Sequence, residues 1–559
     1  MRPAIGSPSK VPPSLSSPSS RFFFQQLLLG TLLVVFRWEI ARAEQTETAS
    51  ILIGGRRELF VDDYLIEKNS GLELKLHSPT PREIVLDYTR DSPWDGTTSG
   101  YPTVFRDGDV IRMYYMAVNV ISEDAKDIVP RPVVACYAES RDGIHWVRPV
   151  LGLIEYNGSK QNNIVWTGPN LDNFTPFKDS NPACPPTELY KAVAAGPGGL
   201  LALKSMDGLH WSYLSDKPII TQGKFDTQNN AFWDPRRGHY WCYIRDFHHG
   251  KQPVTERRRT SREGENSPQK SGDRVTTAAA GIRDIRVATS PDFRTWSEPK
   301  PIEFVDSPDE PLYTNQIRPY GRAPHLFLGF PSRYIERNFS ESALRTLPDQ
   351  KHRENRMSLS PRYGLAITDG LFMASRDGVT FRRWNEAFVR PGPERKDNWL
   401  YGDGFQGLGL IETPADDPTA PNELSLYVGE DHWKKPRLRR FTLRVDGFVS
   451  LHSSAKPGEI VSKPLIFEGN RLSLNFATSA VGSVLVELQD SNGTPIRGFA
   501  LDDCDELFGD TLNRSVTWND SGDVGRLANL PVRIRMVVND GDVYSFQFTS
   551  DSAPSSPER

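Results

Sequence analysis

Acidic, amide and arginine side chains recur in this chain beside short apolar runs. Ahead of such runs stand Asp95 and Tyr101, then Asp172 and Asn173, then Asp226, Asn229 and Asn230, then Tyr313, Asn315 and Gln316, and last Tyr401 and Asp403. Behind the partner runs stand Asn119, then Arg245 and Asp246, then Arg333 and Tyr334, then Glu430, Asp431 and His432. Carboxylates can carry protons and stabilise an oxocarbenium-like transition state. Amides and guanidiniums can grip hydroxyls, and aromatic faces such as those of Trp94, Trp399 and Trp433 can stack on sugar rings. Any single Asp or Asn in such a place is also an ordinary turn residue, so the set carries the reading rather than its members. No His pair has metal-ligand spacing, the His248-His249 doublet included, and no Gly-rich phosphate loop or Gly-x-Ser-x-Gly elbow occurs. Neither a metal nor another cofactor is expected.

To act together these residues need a fold that repeats, and the chain carries a repeat. Ser140-Arg141-Asp142-Gly143-Ile144-His145-Trp146 returns as Ser205 to Trp211, as Ser290 to Trp296 and as Ser375 to Phe381. The copies start 65, 85 and 85 residues apart, and each follows an apolar strand. Chemically this is a hairpin corner: Ser and Asp bond turn backbone, Gly takes the awkward φ, and the aromatic packs back on the sheet. A structural turn is the favoured reading of the motif itself. Repetition on this scale indicates radially arranged sheets, a β-propeller, with long insertions between strands. Four units carry the corner. A fifth keeps the strands Phe405 to Ile411, Glu423 to Val428 and Leu438 to Val445, with Asp446-Gly447-Phe448 as its degenerate corner. The expected fold is all-β, a five-bladed β-propeller over 44–455, with the strand near Leu59 closing the ring and Trp146 starting the outer strand of the first blade. In such a ring, starts of inner strands and ends of second strands share one face. The residues that open this section then surround one mouth of the channel, and the corners fall on the opposite face.

Two insertions interrupt the pattern. Residues 250–280 are basic and poor in apolar residues, which reads as a charged loop. Residues 335–362 are polar with a short helix expected near Ser340 to Leu347. Beyond Gly458 short alternating strands and the turns Asn492-Gly493 and Asn539-Asp540-Gly541 predict a β-sandwich over 456–549, then a polar tail over 550–559.

The N-terminus has the form of an export signal. Arg2, Lys10 and Arg21 precede the largely apolar run Phe22 to Phe36, and Ala41-Arg42-Ala43 is a small-x-small cleavage site, so 1–43 is read as a signal peptide removed after Ala43. The run is short for a membrane span, and none is expected after removal. The remaining chain has 62 basic and 70 acidic residues, which argues against a nucleic-acid binder. Cys136, Cys184, Cys242 and Cys504 show no CxxC spacing and are expected to be free thiols in a secreted or periplasmic monomer.

The corner motif resembles the Asp-box of sialidase-like propellers, where it lies away from the active face. Five blades, an export signal and a following sandwich resemble the five-bladed glycoside hydrolases of the family 43 and family 32 type. Pro93-Trp94-Asp95-Gly96 resembles the segment around their first Asp. Phe177-Lys178-Asp179-Ser180-Asn181-Pro182 is similar to their Arg-Asp-Pro segment, with Lys for Arg and two residues inserted. No Glu-Cys-Pro match exists for the acid. The resemblance implies a carboxylate from the first blade as base or nucleophile, an orienting Asp from the second and a Glu acid from a later blade. Asp95 or Asp226 is expected in the first role, Asp179 or Asp172 in the second and Glu430, which ends an apolar strand, in the third. Arg245 and Arg333 are expected to hold a substrate hydroxyl or carboxylate. Asn173, Asn229, Asn230, Asn315, Gln316, Asp403 and His432 would line the carbohydrate site. The alternatives are a glycan-binding propeller without turnover and an exported scaffold for another protein.

Overall fold

The computed structural model describes residues 50–88, 92–168, 172–249, 281–305, 307–337, 341–396, 398–454 and 456–550. The expected signal segment, the basic insertion and the tail after Ser550 lie outside the described residues.

Five four-stranded antiparallel sheets follow one another along the chain. The first holds Gly100–Asp107, Val110–Ala117, Val134–Ser140 and Ile164–Thr167, and the second Asp172–Lys178, Tyr190–Gly196, Gly199–Ser205 and Ser212–Tyr213. The third holds Asn230–Asp234, His239–His248, Ile282–Ser290 and Lys300–Pro301. The fourth holds Arg318–Tyr320, Ala323–Gly329, Met373–Ser375 and Thr380–Arg383, with Glu303–Val305 added parallel at its outer edge. The chain is a five-bladed propeller, because the fifth sheet closes the ring. Phe405–Gln406, Glu423–Glu430 and Arg437–Arg444 are joined there by Thr80–Asp87, with Leu438 opposite Leu86. Second strands such as Val110–Ala117 are covered on both faces by neighbouring blades, so they read as nearly unbroken apolar runs.

Two sequence expectations need correction here. The closing strand is Thr80–Asp87 and not the segment near Leu59. Pro81 argues against a central strand but suits this outermost position, where one ladder donor can be missing. Glu58–Leu59 pairs instead with the C-terminal strand Pro531–Thr549. Trp146 does not open the outer strand of the first blade, which is Ile164–Thr167. Its ring packs edge-on against Tyr427 of the fifth blade at 5.6 Å.

The corners behave as their residue types demand. In the first, Asp142 Oδ1 accepts the amides of Ile144 and His145, both at 2.8 Å, and Ser140 Oγ accepts that of Gly143 at 2.9 Å. Gly143, Gly208 and Gly378 sit at φ of 77°, 80° and 81°, and Phe293 takes 63° in the third copy. Each glycine carbonyl also accepts a tyrosine hydroxyl from a neighbouring blade: Tyr427 to Gly143, Tyr114 to Gly208 and Tyr243 to Gly378, at 2.7–2.9 Å. The motif is thus a staple between blades. The degenerate fifth corner has another task. Buried Asp446 accepts Tyr320 Oη at 2.6 Å, Arg322 at 3.0 Å and Ser545 at 3.0 Å, which ties two blades to the C-terminal sheet.

In the region expected as a sandwich, the long strands Arg471–Asp490 and Pro531–Thr549 pair antiparallel, with register shifts at Asn475/Phe476 and Thr478/Ser483. Ile66–Ser70 and Glu73–Leu76 join this sheet through Gly458–Ser462 and Val449–Ser453, so its strands come from both ends of the described chain. The polar insertion of the fourth blade carries three helices, Glu341–Thr346, Gln350–Leu359 and Pro361–Leu365. All four cysteines are free, with Cys136 and Cys242 buried in second and third strands. Among the described residues no helix is long and apolar enough to cross a membrane.

Candidate active site

The inner strands open with strained backbone. Tyr101, Asn173 and Gln316 hold φ of 53°, 55° and 47°, and the first two lie at register shifts in blades one and two. Non-glycine residues rarely adopt such φ, and bulges of this kind re-aim side chains. Here they mark the start of the strands, where the side chains gather at the channel mouth.

Three layers follow down the channel. The outermost is aromatic and charged. Tyr313 packs on Phe405 at 5.2 Å and on Tyr401 at 5.7 Å, Tyr101 on Phe405 at 5.9 Å, and Tyr401 donates to Tyr313 at 2.7 Å. Arg245 lies over Tyr313 at 5.1 Å, and Arg283 over Tyr334 at 4.4 Å and Tyr313 at 5.4 Å. Arg245 is paired with Asp226, whose side chain is 73% exposed and so faces solvent. Half-buried Asp172 is pushed above the usual carboxylate range by burial, against the opposing pull of the Asn173 amide and Arg245. Burial also raises the Tyr101 hydroxyl, with Tyr313 and Asp172 adding to it. Asp172, Asp226, Arg245, Tyr101 and Tyr313 therefore form one cluster drawn from four blades.

Across the mouth, Asp403 is buried, and its carboxyl is pushed up to about 8 by that burial and by neighbouring Asp431. One oxygen accepts the His432 amide at 3.0 Å, and the other is buried without a partner. Burial thus favours its protonated form near neutral pH. His432 is held neutral, down to about 3, by burial and by Arg356, and stacks on Trp433 at 5.4 Å. The glycine before Asp403 is required: a Cβ on Gly402, at φ 97°, would meet the His432 ring at 2.0 Å.

Beneath lies a layer of amides that fill the channel. Gln228 Nε2 donates to Thr103 Oγ1 at 2.8 Å, and Gln316 Nε2 donates to Gln228 Oε1 at 2.6 Å and the Gln406 carbonyl at 2.8 Å. Asn230 donates to Asn315. Asn229 is spent on the Phe225 and Thr227 carbonyls at 2.9 and 2.8 Å. Asn173 reaches the Phe225 carbonyl at 3.5 Å, its own oxygen buried without a partner. Asn229, Asn230, Asn315 and Gln316 were expected to grip substrate. They instead bond one another and the backbone, although Asn230 Oδ1 and Gln316 Oε1 stay buried without a partner. Gln228 and Gln406 escaped the sequence reading. The polar runs Thr227-Gln228-Asn229-Asn230 and Thr314-Asn315-Gln316 before two inner strands were the available signal.

Four other expected residues stand apart from the cluster. Asp95 is 4% exposed in the loop before the first inner strand, 3.6 Å from Arg148, and no hydrogen bond reaches either carboxylate oxygen. Burial raises it to about 7, and its neighbours Tyr88, Tyr115 and Cys136 belong to the blade interior. Asp179 follows the end of the second blade's inner strand, so it lies at the opposite end from Asp172. Lys191 at 2.5 Å and Tyr240 at 2.6 Å hold it as a buried structural ion pair. Arg333 is taken up by Asp369 at 2.7 Å and Glu310 at 3.2 Å. Glu430 is a hub for Arg439 at 2.8 Å, Arg395 at 3.4 Å and Arg437 at 3.7 Å. A strand that ends in an acid after an apolar run can bring it to a basic neighbour as readily as to a cavity, and the Arg437–Arg444 strand beside it supplies that neighbour. Among the described residues no three His, Cys, Asp or Glu side chains cluster as metal ligands would.

No protein-family model and no curated protein matches the chain. Solved structures similar to it include a glycoside hydrolase, with 13% identity and a TM-score of 0.39 over 66% of this chain and 92% of that one. An N-acetylgalactosamine deacetylase from F. plautii shows 12% identity and a TM-score of 0.37 over 66% and 95%. The Bombyx mori GH32 β-fructofuranosidase shows 9% identity and a TM-score of 0.35 over 85% and 94%.

Proposed function

We propose that this chain is an exported glycoside hydrolase acting at the strand-start mouth of the propeller channel. The observation that carries the reading is the presence there of carboxyl groups in two states. Asp403 favours its protonated form near neutral pH, and Asp226 is ion-paired with Arg245 beside solvent. Glycoside hydrolysis needs that division, one acid to protonate the leaving oxygen and one carboxylate to act as base or nucleophile. Asp403 replaces Glu430 as proton donor, Asp226 serves as the carboxylate, and Asp172 orients Arg245. The Tyr101, Tyr313 and Phe405 rings offer faces for a pyranose or furanose.

The test is sugar release by residues 44–559 from plant, algal and microbial polysaccharides, neutral and acidic, read by chromatography. Release that falls at least 100-fold in Asp403→Asn and in Asp226→Asn, both folded by circular dichroism, supports the assignment. Full activity in both variants overturns it. A second reading, glycan binding without turnover, is favoured by the grip of Arg245 on Asp226, which must loosen before the carboxylate can act. Saturable binding of a glycan with no released product would establish that reading.

A further inference from the structure

The third layer of the channel, open at the corner face, is unlike the other two. A cavity of about 720 Å³ lies there, walled by Val104, Phe105, Phe177, Leu328, Leu408 and Leu410. Above it the glutamines of the amide layer close the channel. Beside it the inner strands of blades one and five pair directly, the Val104 amide donating to the Leu408 carbonyl at 2.8 Å. Gly409, at φ 113°, permits that approach, since a Cβ would meet the Val104 carbonyl at 2.0 Å. The rim is basic and largely neutralised, with exposed Arg106 reaching only the Glu412 carbonyl at 3.4 Å. Lys178 pairs with Asp107 at 2.5 Å, and Arg322 with Asp446 at 3.0 Å and Glu412 at 3.4 Å.

Arg318 is the exception. Its guanidinium lines the cavity between Phe232 at 5.1 Å and Phe177 at 5.8 Å, and among the described residues no carboxylate or carbonyl pairs with it. Burial alone lowers it to about 9, so it still carries its charge at neutral pH. The nearby Cys242 thiol, raised by its own burial, brings no countercharge. A half-buried cation flanked by two aromatic rings, with no carboxylate to neutralise it, is a ready partner for an anion. The volume falls within the range of small-molecule sites, and apolar walls with a few charged groups are their usual composition.

We propose that this blind vestibule is a second ligand site, which takes a small carboxylate carried on an apolar body, with Arg318 on the carboxylate and the phenylalanines and leucines around the body. It is independent of the chemistry assigned to the other mouth.

Isothermal titration of the full chain tests this with 3-phenylpropionate, 3-phenylpropan-1-ol and sulfate. The wild type is expected to bind the carboxylate saturably and at least tenfold more tightly than the alcohol or sulfate. Arg318→Met removes a half-buried charge, strands no protein partner and is expected to fold. It should weaken the carboxylate at least tenfold and leave the alcohol unchanged. Leu410→Trp fills the vestibule while keeping Arg318 and should weaken the carboxylate to the same degree. Glycan release should not change in either variant. Absence of saturable carboxylate binding by the folded wild type, wild-type affinity in either variant, or sulfate bound as tightly as the carboxylate would each overturn the proposal.

Discussion

The two faces of the propeller treat the same side chain in opposite ways. On the corner face, burial pushes Asp142 and Asp207 up, but hydrogen bonds from two backbone amides, a serine and a histidine outweigh it and hold both well below the usual carboxylate range. Asp292 and Asp377 are lowered in the same manner. On the strand-start face, Asp95, Asp172 and Asp403 are buried with too few donors, and all three are raised. A hairpin corner supplies backbone donors wherever it recurs, so its Asp is an anion that builds structure. A strand start offers at most one backbone amide, as Asn173 gives Asp172 and His432 gives Asp403, and that does not offset burial. Among the arginines, Arg245 and Arg333 on the first face and Arg322 near the corners are ion-paired, while Arg318 has no carboxylate partner among the described residues.

The largest expected effect falls on the raised group. Asp403→Asn keeps the shape and the hydrogen bond from the His432 amide but cannot give up a proton. Sugar release should fall ~10²–10⁴-fold, the range for removing a general acid. Asp377→Asn on the corner face should leave the rate per folded molecule unchanged. Equal losses of kcat in the two variants would erase the distinction between the faces.

Exchanging single arginines sharpens the comparison through stability. Arg333→Met leaves the partly buried Asp369 carboxylate unpaired and Glu310 with Arg383 alone, at 3.2 Å, and should cost about 3 kcal/mol in urea denaturation. Arg318→Met should be neutral or stabilising, because no partner is stranded. A loss in Arg318→Met comparable to that in Arg333→Met would mean that the vestibule cation has a protein partner after all.

The pH dependence follows from the two signs. A buried carboxyl raised in the folded state binds a proton that the unfolded chain has already released. Its contribution is therefore full below about pH 4 and is lost as pH rises to the folded value. Asp95, raised to about 7, should make the protein lose on the order of 3–4 kcal/mol between pH 4 and 7. Asp95→Asn should flatten that slope. The corner aspartates act in the opposite sense, stabilising above about pH 4 and losing that contribution as acid protonates them. Chemical denaturation from pH 3 to 9 reads both limbs, and a wild-type slope unchanged by Asp95→Asn would remove that residue from the explanation.

The repeat made the propeller legible. Four corners with fixed Ser, Asp and aromatic spacing gave the blade order, and the strand alternation gave the fifth blade. The closing strand was not legible, because Pro81 weakens its pattern and nothing local marks which edge it will meet. At the mouth, the reading of Asp172, Asp226, Arg245, Asp403 and His432 rested on position in a blade, which sets height in the channel. It could not separate a side chain facing solvent from one facing its neighbour across the ring. Asn230 and Asn315 meet only because blades three and four adjoin, and Glu430 meets Arg437 and Arg439 of the next strand together with Arg395 from an earlier loop. Partnerships of this kind depend on distances that no spacing along one strand encodes.

The smallest expected effect tests whether the corner face is a staple and nothing more. Tyr243 is fully buried on the second strand of blade three and donates to the Gly378 carbonyl in the corner of blade four at 2.7 Å. Tyr243→Phe keeps the ring against Phe232 and Phe381 and removes only the hydroxyl. The orphaned carbonyl should cost about 1–2 kcal/mol, read as a lower denaturation midpoint with an unchanged slope. Because the amide layer lies between this corner and the strand-start mouth, kcat for glycan release should stay at the wild-type value. A fall in kcat in Tyr243→Phe would show that the blades transmit strain through that layer, and the corners would then belong to the active site's positioning machinery as well as to the scaffold.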